Sequence, residues 1–387
     1  GTRKEIHSVI IPFFRGKVQQ TGAARRIMWV VSFEPRKLTA KSDIECPINN
    51  GPTGSNRQRN SQGPAEMSHW SDHEWAGVFP ATLCPFHQDE SIDEDGLREY
   101  ILELAIVDGI KGVTCNGHTG EIMSLRPSER AQVTRVVREA VDAANAQTGR
   151  QVKVISGVSA EGSLEAIDHA LAAKEAGADA ILLMPPHHWL RFGRKSDTAI
   201  GFFQDVAQGS DIPIVVHQYP SWTKAGYSLA EMLEFVKLPQ VKMIKMGTRN
   251  PARWRWDFEQ LKTAAPDVTI VTCHDEFLLQ TLVDGCDGAL IGFAGFVPEL
   301  MIEIVHAALD ADLPRAQKAQ QVVAPLARIV YNFGEPGCDA HQRMKVARWL
   351  MGKFPSPHFR RPVRPLPEAD IDRIRRELEV LNYDISR

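Results

Sequence analysis

Residues 176–188 read Ala176-Gly177-Ala178-Asp179-Ala180-Ile181-Leu182-Leu183-Met184-Pro185-Pro186-His187-His188. The apolar run from Ala180 to Pro185 has no polar alternation, as expected of a parallel strand buried on both faces. Before it, Leu164–Ala176 carries helical periodicity, and Gly177 stands where a left-handed residue would close that helix. After it, polar residues begin at once. This is the joint of one βα unit. The same grammar recurs along the chain, with strand candidates at Gly77–Cys84, Gly112–Asn116, Val152–Val158, Ala180–Pro185, Pro213–His217, Val241–Met246, Val268–Cys273 and Gly288–Phe293. Helical patterns lie between them, including Pro127–Ala146 and Pro251–Ala265, whose prolines suit a first helical turn. A second Gly-closed joint, Asp284-Gly285-Cys286-Asp287-Gly288, precedes the last strand. Strand and helix alternating eight times point to the α/β class and to a (βα)8 TIM barrel rather than an open doubly wound sheet.

Outside these repeats the chain divides into three parts: an N-terminal extension or linker over 1–70, the barrel over 71–310, and a C-terminal helical region over 311–387. In the last helix Ile371, Ile374, Leu378 and Leu381 share one face. The extension has no sustained period, and Asn49–Pro64 is rich in Asn, Gly, Pro, Ser and Gln. Such a composition buries too little apolar surface to offset the entropy of ordering, so a poorly ordered segment is expected. Its excess of Arg and Lys over acids would also suit an organelle-targeting leader, but no clean amphipathic helix accompanies it, which favours a dispensable tail.

With 387 residues, 43% of them apolar, and a formal net charge of -3, the chain can bury a large core and has no general attraction for nucleic acid or anionic membrane. The longest early apolar run, Ile27–Phe33, falls far short of the roughly 18 residues a membrane helix needs. The six cysteines show no Cys-x-x-Cys spacing, which suits reduced thiols and a cytoplasmic location. There is no Gly-x-Gly-x-x-Gly or Walker-type loop, so no nucleotide cofactor is indicated, and none of any other kind is expected.

A barrel of this kind works at the C-terminal ends of its strands. Those ends carry Asn116-Gly117-His118-Thr119-Gly120-Glu121, then Pro185-Pro186-His187-His188-Trp189, His217-Gln218-Tyr219-Pro220, Met243-Ile244-Lys245-Met246-Gly247 and Cys273-His274-Asp275-Glu276. Lys245 stands within an apolar strand, where an ammonium is costly to desolvate. Burial lowers a lysine pKa and leaves a neutral amine able to attack a carbonyl. A lysine reaching to the rim, or paired with a carboxylate, would satisfy the position equally well. The Gly117-His118-Thr119-Gly120 turn could cradle a carboxylate on its backbone N–H groups, with the Thr119 hydroxyl as a further donor. Its two glycines would permit the tight bend.

Taken together, these residues resemble the dihydrodipicolinate synthase and N-acetylneuraminate lyase family over about four-fifths of the chain, from about Gly77 onward. Gly117-His118-Thr119-Gly120-Glu121, with Leu125 and Glu129-Arg130 behind it, resembles the GTTGE or GSTGE signature. Pro213–Pro220 resembles the strand ending in YNxP, and Ile244-Lys245 resembles the strand that bears the Schiff-base lysine. The resemblance implies a lyase that binds pyruvate or another 2-oxo acid as an imine on Lys245, commonly as a homotetramer or homodimer. It also implies that Gly117, His118, Thr119 and Gly120 bind substrate.

The departures bear on the second substrate. His217 stands where the family has a proton-shuttling tyrosine, and a histidine could do similar acid–base work. His118 replaces the first hydroxyl residue of the signature. Met184-Pro185-Pro186-His187 replaces TPYY, which puts His187 at the mouth. Trp222 occupies the position of the synthase's arginine for the aldehyde carboxylate. An apolar or aromatic aldehyde is therefore expected rather than aspartate semialdehyde. The same imine would also serve a 2-oxo sugar acid dehydratase. Two other classes compete: a metal-dependent barrel enzyme using His118, His187, His217 and His274, and a non-catalytic 2-oxo acid binding protein. No strand supplies two well-spaced ligands, so no metal site is assigned, and an amine buried at Lys245 argues against loss of chemistry.

Overall fold

The computed structural model describes residues 70–331 and 339–387. Most of the expected extension, and Cys46 and Cys338, lie outside them. Eight parallel strands form the barrel: β1 (Gly77–Pro80), β2 (Gly112–Cys115), β3 (Lys153–Val158), β4 (Ala180–Leu183), β5 (Ile214–Gln218), β6 (Val241–Met246), β7 (Thr269–Thr272) and β8 (Gly288–Ile291). They follow the order β1-β8-β7-β6-β5-β4-β3-β2. The ends close through parallel bridges Val78↔Ile110 and Ala81↔Thr114. Every expected strand is present and begins within one residue of its expected start, and most stop earlier at their C-terminal ends, where polar loops take over.

The two-residue period of a strand sorts side chains inward and outward. Phe79, Ala81, Ile155, Ala180, Leu182, Val215, Met243, Val271 and Leu290 fill the barrel interior, with Trp75 alongside. Outward residues such as Val113, Val154, Ile181, Ile214 and Ile244 join the larger core beneath the helices. Both faces are apolar, which is why the strands read as continuous runs.

Helix ends follow their local chemistry. Pro127 and Pro251 open the helices Pro127–Thr148 and Pro251–Ala264. Gly177 and Gly285 adopt φ of +94° and +105°, in the left-handed region anticipated for them. At Gly288 an added Cβ would fall 2.1 Å from the Gly77 carbonyl oxygen, so β1 and β8 meet only because that side chain is missing. Beyond the barrel, the helices Leu313–Tyr331, Ala340–Leu350 and Glu368–Val380 form the expected helical region. Ile374 and Leu378 are buried, and Ile371 and Leu381 pack beside them. Among the described residues no helix is long and apolar enough to cross a membrane.

Candidate active site

The inward register decides what lines the barrel mouth. Two residues beyond Val215, Met243 and Val271 come His217, Lys245 and Cys273. Strands β5 and β6 pair Ile214 with Val241, but then slip so that Val215 meets Met243 and His217 meets Lys245. Lys242, the residue skipped at this irregularity, is exposed. Neighbouring strands lie about 4.8 Å apart, so the slip seats the imidazole of His217 beside the stem of Lys245.

Lys245 is partly open to the mouth yet surrounded by protein. Burial lowers its pKa, and only the Cys273 and Asp275 side chains act in the opposite direction. His217 is buried, and burial, then the Lys245 charge, then His118, hold its pKa well below the usual imidazole value. It is therefore neutral at neutral pH, and its Nδ1 has no hydrogen-bond partner among the described residues. Three further groups are unengaged in the turn after β2. Thr119 Oγ1 is buried without a partner, and the amides of His118 and Thr119 donate to nothing among the described residues. Buried polar groups left open are costly unless a ligand or water meets them.

The turn that presents these groups is held at both ends. Its left-handed residues are Asn116 (φ 53°) and Glu121 (φ 58°), not the two glycines on which the sequence placed the bend. Asn116 Nδ2 donates to the Arg130 carbonyl at 2.9 Å and to the Thr134 and Ser156 hydroxyls, each at 3.0 Å. A side chain at residue 157 would put a Cβ 1.8 Å from the Asn116 carbonyl oxygen, so Gly157 permits this close approach. Gly120 is closely fitted too, since a Cβ there would sit 3.1 Å from the Thr82 carbonyl oxygen. At the far end, Lys345 donates to Glu121 Oε1. Arg360 forks onto both oxygens of Glu129 at 2.7 and 2.9 Å. Lys345 and Arg360 both come from the C-terminal region, which thus braces the turn. Sequence reasoning missed both, because nothing local links residue 121 to residue 345.

The structure brings His118, His217 and Lys245 together and adds Tyr219, which had gone unassigned inside a quoted motif. The Tyr219 hydroxyl lies 2.9 Å from His118 Nε2. Its ring meets that of His217 edge-on, with centroids 4.8 Å apart, and the two imidazoles are 5.5 Å apart. His187 stands at the rim, its Nδ1 3.5 Å from Ser159 Oγ and 3.8 Å from a Glu161 oxygen. Trp222 lies outside the aromatic cluster and is 64% exposed. His274 turns away to the Thr248 carbonyl at 2.8 Å and stacks on Phe277. Among the described residues no three His, Cys, Asp or Glu side chains are grouped to hold a metal ion. Cys84, Cys115, Cys273 and Cys286 are free thiols.

A (βα)8 barrel with a partly buried lysine, neutral imidazoles and open amides at its C-terminal mouth defines a lyase of the barrel type, and the comparisons name the family. Residues 74–381 match the model of the dihydrodipicolinate synthetase family, and the chain belongs to that family. It is 30% identical over 300 residues to the 4-hydroxy-tetrahydrodipicolinate synthase of Methanothrix thermoacetophila, covering 77% of this chain and 94% of that one. It is 29% identical to an uncharacterized DapA-like lyase of Rhizobium meliloti, over 80% of this chain and 96% of the other. Among solved structures, it resembles a prophage protein of this family from E. coli, determined in complex with pyruvate, with a TM-score of 0.71 and 25% identity over 80% of this chain and 99% of the other. The dihydrodipicolinate synthase of Aquifex aeolicus superposes equally well, with a TM-score of 0.71 at 23% identity over 81% of this chain and all of the other, a likeness of fold.

Proposed function

We propose that this lyase captures a 2-oxo acid, pyruvate or a pyruvyl group, as an imine on Lys245, and makes or breaks a carbon–carbon bond to an apolar or aromatic aldehyde. The observation that carries the reading is the amine of Lys245, its pKa lowered by burial, paired in register with His217; the unpartnered Thr119 hydroxyl supports it. The E. coli neighbour solved with pyruvate lends the choice of 2-oxo acid.

The neutral amine attacks the ketone carbon, and loss of water leaves the imine. The imine draws electrons from the adjacent carbon, so a proton or an aldehyde fragment can leave there to give an enamine; condensation is the reverse. Thr119 Oγ1 and the amides of His118 and Thr119 bind the substrate carboxylate. A carboxylate accepting such bonds is held in one orientation, which fixes the ketone against the amine. His217, neutral and with an open Nδ1, serves as hydrogen-bond donor or base beside the imine. Trp222, where the resemblance puts an arginine for an acidic aldehyde, favours an uncharged one.

Borohydride reduction in the presence of pyruvate tests this. A reduced pyruvyl adduct is expected on the peptide holding Lys245. Lys245→Ala should take no adduct and show no turnover, yet melt at or above the wild-type temperature, because a costly buried amine is gone. An unmodified Lys245 at saturating pyruvate would overturn the assignment.

A further inference from the structure

The bond between Tyr219 and His118 has no counterpart in the signature residues from which the site was read. Three observations bear on it. Tyr219 follows His217 by two residues, just past the end of β5, and its ring is buried against His217. Among the described residues its hydroxyl has one hydrogen-bond partner, His118 Nε2 at 2.9 Å. The His118 ring is surrounded by protein, yet the residue is exposed at the mouth, so one nitrogen faces the phenol while the residue reaches water.

The neighbouring charges fix the direction of that bond. Burial, then the neighbouring Lys245, then His187 and His341 hold His118 below the usual imidazole pKa, and His217 lies beside it as a second neutral ring. Burial raises the pKa of Tyr219. At neutral pH the phenol is therefore the donor and His118 Nε2 the acceptor. His217 is too reluctant to hold a second proton to deliver one as an imidazolium.

We propose that Tyr219 is a catalytic residue of this site and that His118 is its relay to solvent. The assignment rests on the imine reading above. In the direction that forms the enamine, the phenol oxygen takes the proton released by the lysine-bound substrate while its own proton passes to His118 Nε2. As Nε2 takes that proton, Nδ1 of the same ring gives its own to water at the mouth, so His118 changes tautomer without becoming an imidazolium, and solvent restores it. The substrate loses one proton, solvent gains one, and Tyr219 ends as it began. In the reverse direction the proton enters by the same path. The phenol thus does from residue 219 what the resemblance assigns to residue 217.

Pyruvate alone suffices as the probe. Exchange of its methyl protons in deuterated water, followed by proton NMR, reports enamine formation, and borohydride trapping reports the imine. Wild type should do both. Tyr219→Phe should still be trapped on Lys245 but exchange at least about 100-fold more slowly, the worth of a positioned acid–base group. His118→Gln keeps a side-chain acceptor for the phenol but has no titrating nitrogen. It should slow exchange by about tenfold or more and flatten its dependence on pH, which a purely structural role would not do. Exchange within about threefold of wild type in Tyr219→Phe, or trapping without exchange in wild type, would overturn the relay. An unchanged pH profile in His118→Gln would remove His118 from it. Absence of trapping in wild type would instead overturn the imine.

Discussion

The ion pair between Lys345 and Glu121 offers a test of how the C-terminal region supports the site. Lys345 is 0% exposed; its Nζ reaches Glu121 Oε1 and the His358 carbonyl at 2.9 Å and lies over the rings of Phe86 and Phe359. Burial pulls the Lys345 pKa down, and the Glu121 carboxylate pulls it back up. Lys345→Met retains the apolar stem against both rings and removes only the charge. Glu121 is then a carboxylate in a dry site, left with the Arg360 amide at 3.4 Å. Breaking a buried pair in this way costs about 3–5 kcal/mol. In a domain of this size each kcal/mol moves Tm by roughly 2 °C, so Tm should fall by roughly 6–10 °C. Adding Glu121→Gln should recover most of the loss, because the uncompensated charge is gone. Glu121 holds its left-handed turn next to Thr119, so the single variant should also need more pyruvate for half-maximal trapping on Lys245. Scanning calorimetry and a trapping titration on the two variants measure both effects. A Lys345→Met variant that melts within about a degree of wild type would refute the reasoning, as would a double variant no better than the single one.

Two other changes probe different parts of the mouth. Burial raises the Asp275 carboxyl from 3.8 to about 6, against hydrogen bonds from the Tyr331 hydroxyl at 2.5 Å and the Phe293 amide at 2.7 Å. A folded-state pKa above the unfolded one favours folding below the lower value and loses that contribution as pH rises through the higher, so the urea midpoint of wild type measured relative to Asp275→Asn should fall between about pH 4 and pH 7; a difference that does not change with pH would place the titrating group elsewhere. Trp222→Arg puts a cation at the rim and should shift the ratio of kcat/KM for benzaldehyde over succinic semialdehyde by about tenfold toward the acid, and an unmoved ratio would take Trp222 out of the aldehyde site.

The fold was legible because burial on both faces of a parallel strand leaves a plain mark. Ala180–Leu183 and Gly288–Ile291 carry no competing polar pattern, and Gly177 and Gly285 punctuate the helices before them. The mouth was legible where a residue contradicts its surroundings, as Lys245 does. It was not legible where geometry departs from spacing. The slip between Ile214 and Val215 decides that His217 faces Lys245, and no residue type announces it. The turn at 116–121 bends at Asn116 and Glu121, because cross-links to Thr134, Ser156 and Lys345 hold non-glycine residues in the left-handed region. These cross-links join positions 18 to 224 residues apart, and contacts at that separation leave no local trace.

Tyr219 marks the boundary between these two cases. Matching residues to a family signature directs attention to His217, because that is where the signature keeps its phenol. Two residues further, just past the end of β5, a phenol packs against His217. A barrel mouth is a ring of side chains at similar height, and a hydroxyl lost from one rung can be supplied from the next if the loop above turns it inward. Pro220 follows at once, and the Pro220 carbonyl accepts from the Thr223 hydroxyl at 2.8 Å, which closes the loop just above the phenol. What the chemistry requires is a proton-carrying group near the imine, reached by any residue that the local backbone can bring there. A substitution at a signature position is therefore weak evidence for lost chemistry until the inward positions around it have been searched for a replacement, and here that search ends at the 2.9 Å bond between Tyr219 and His118.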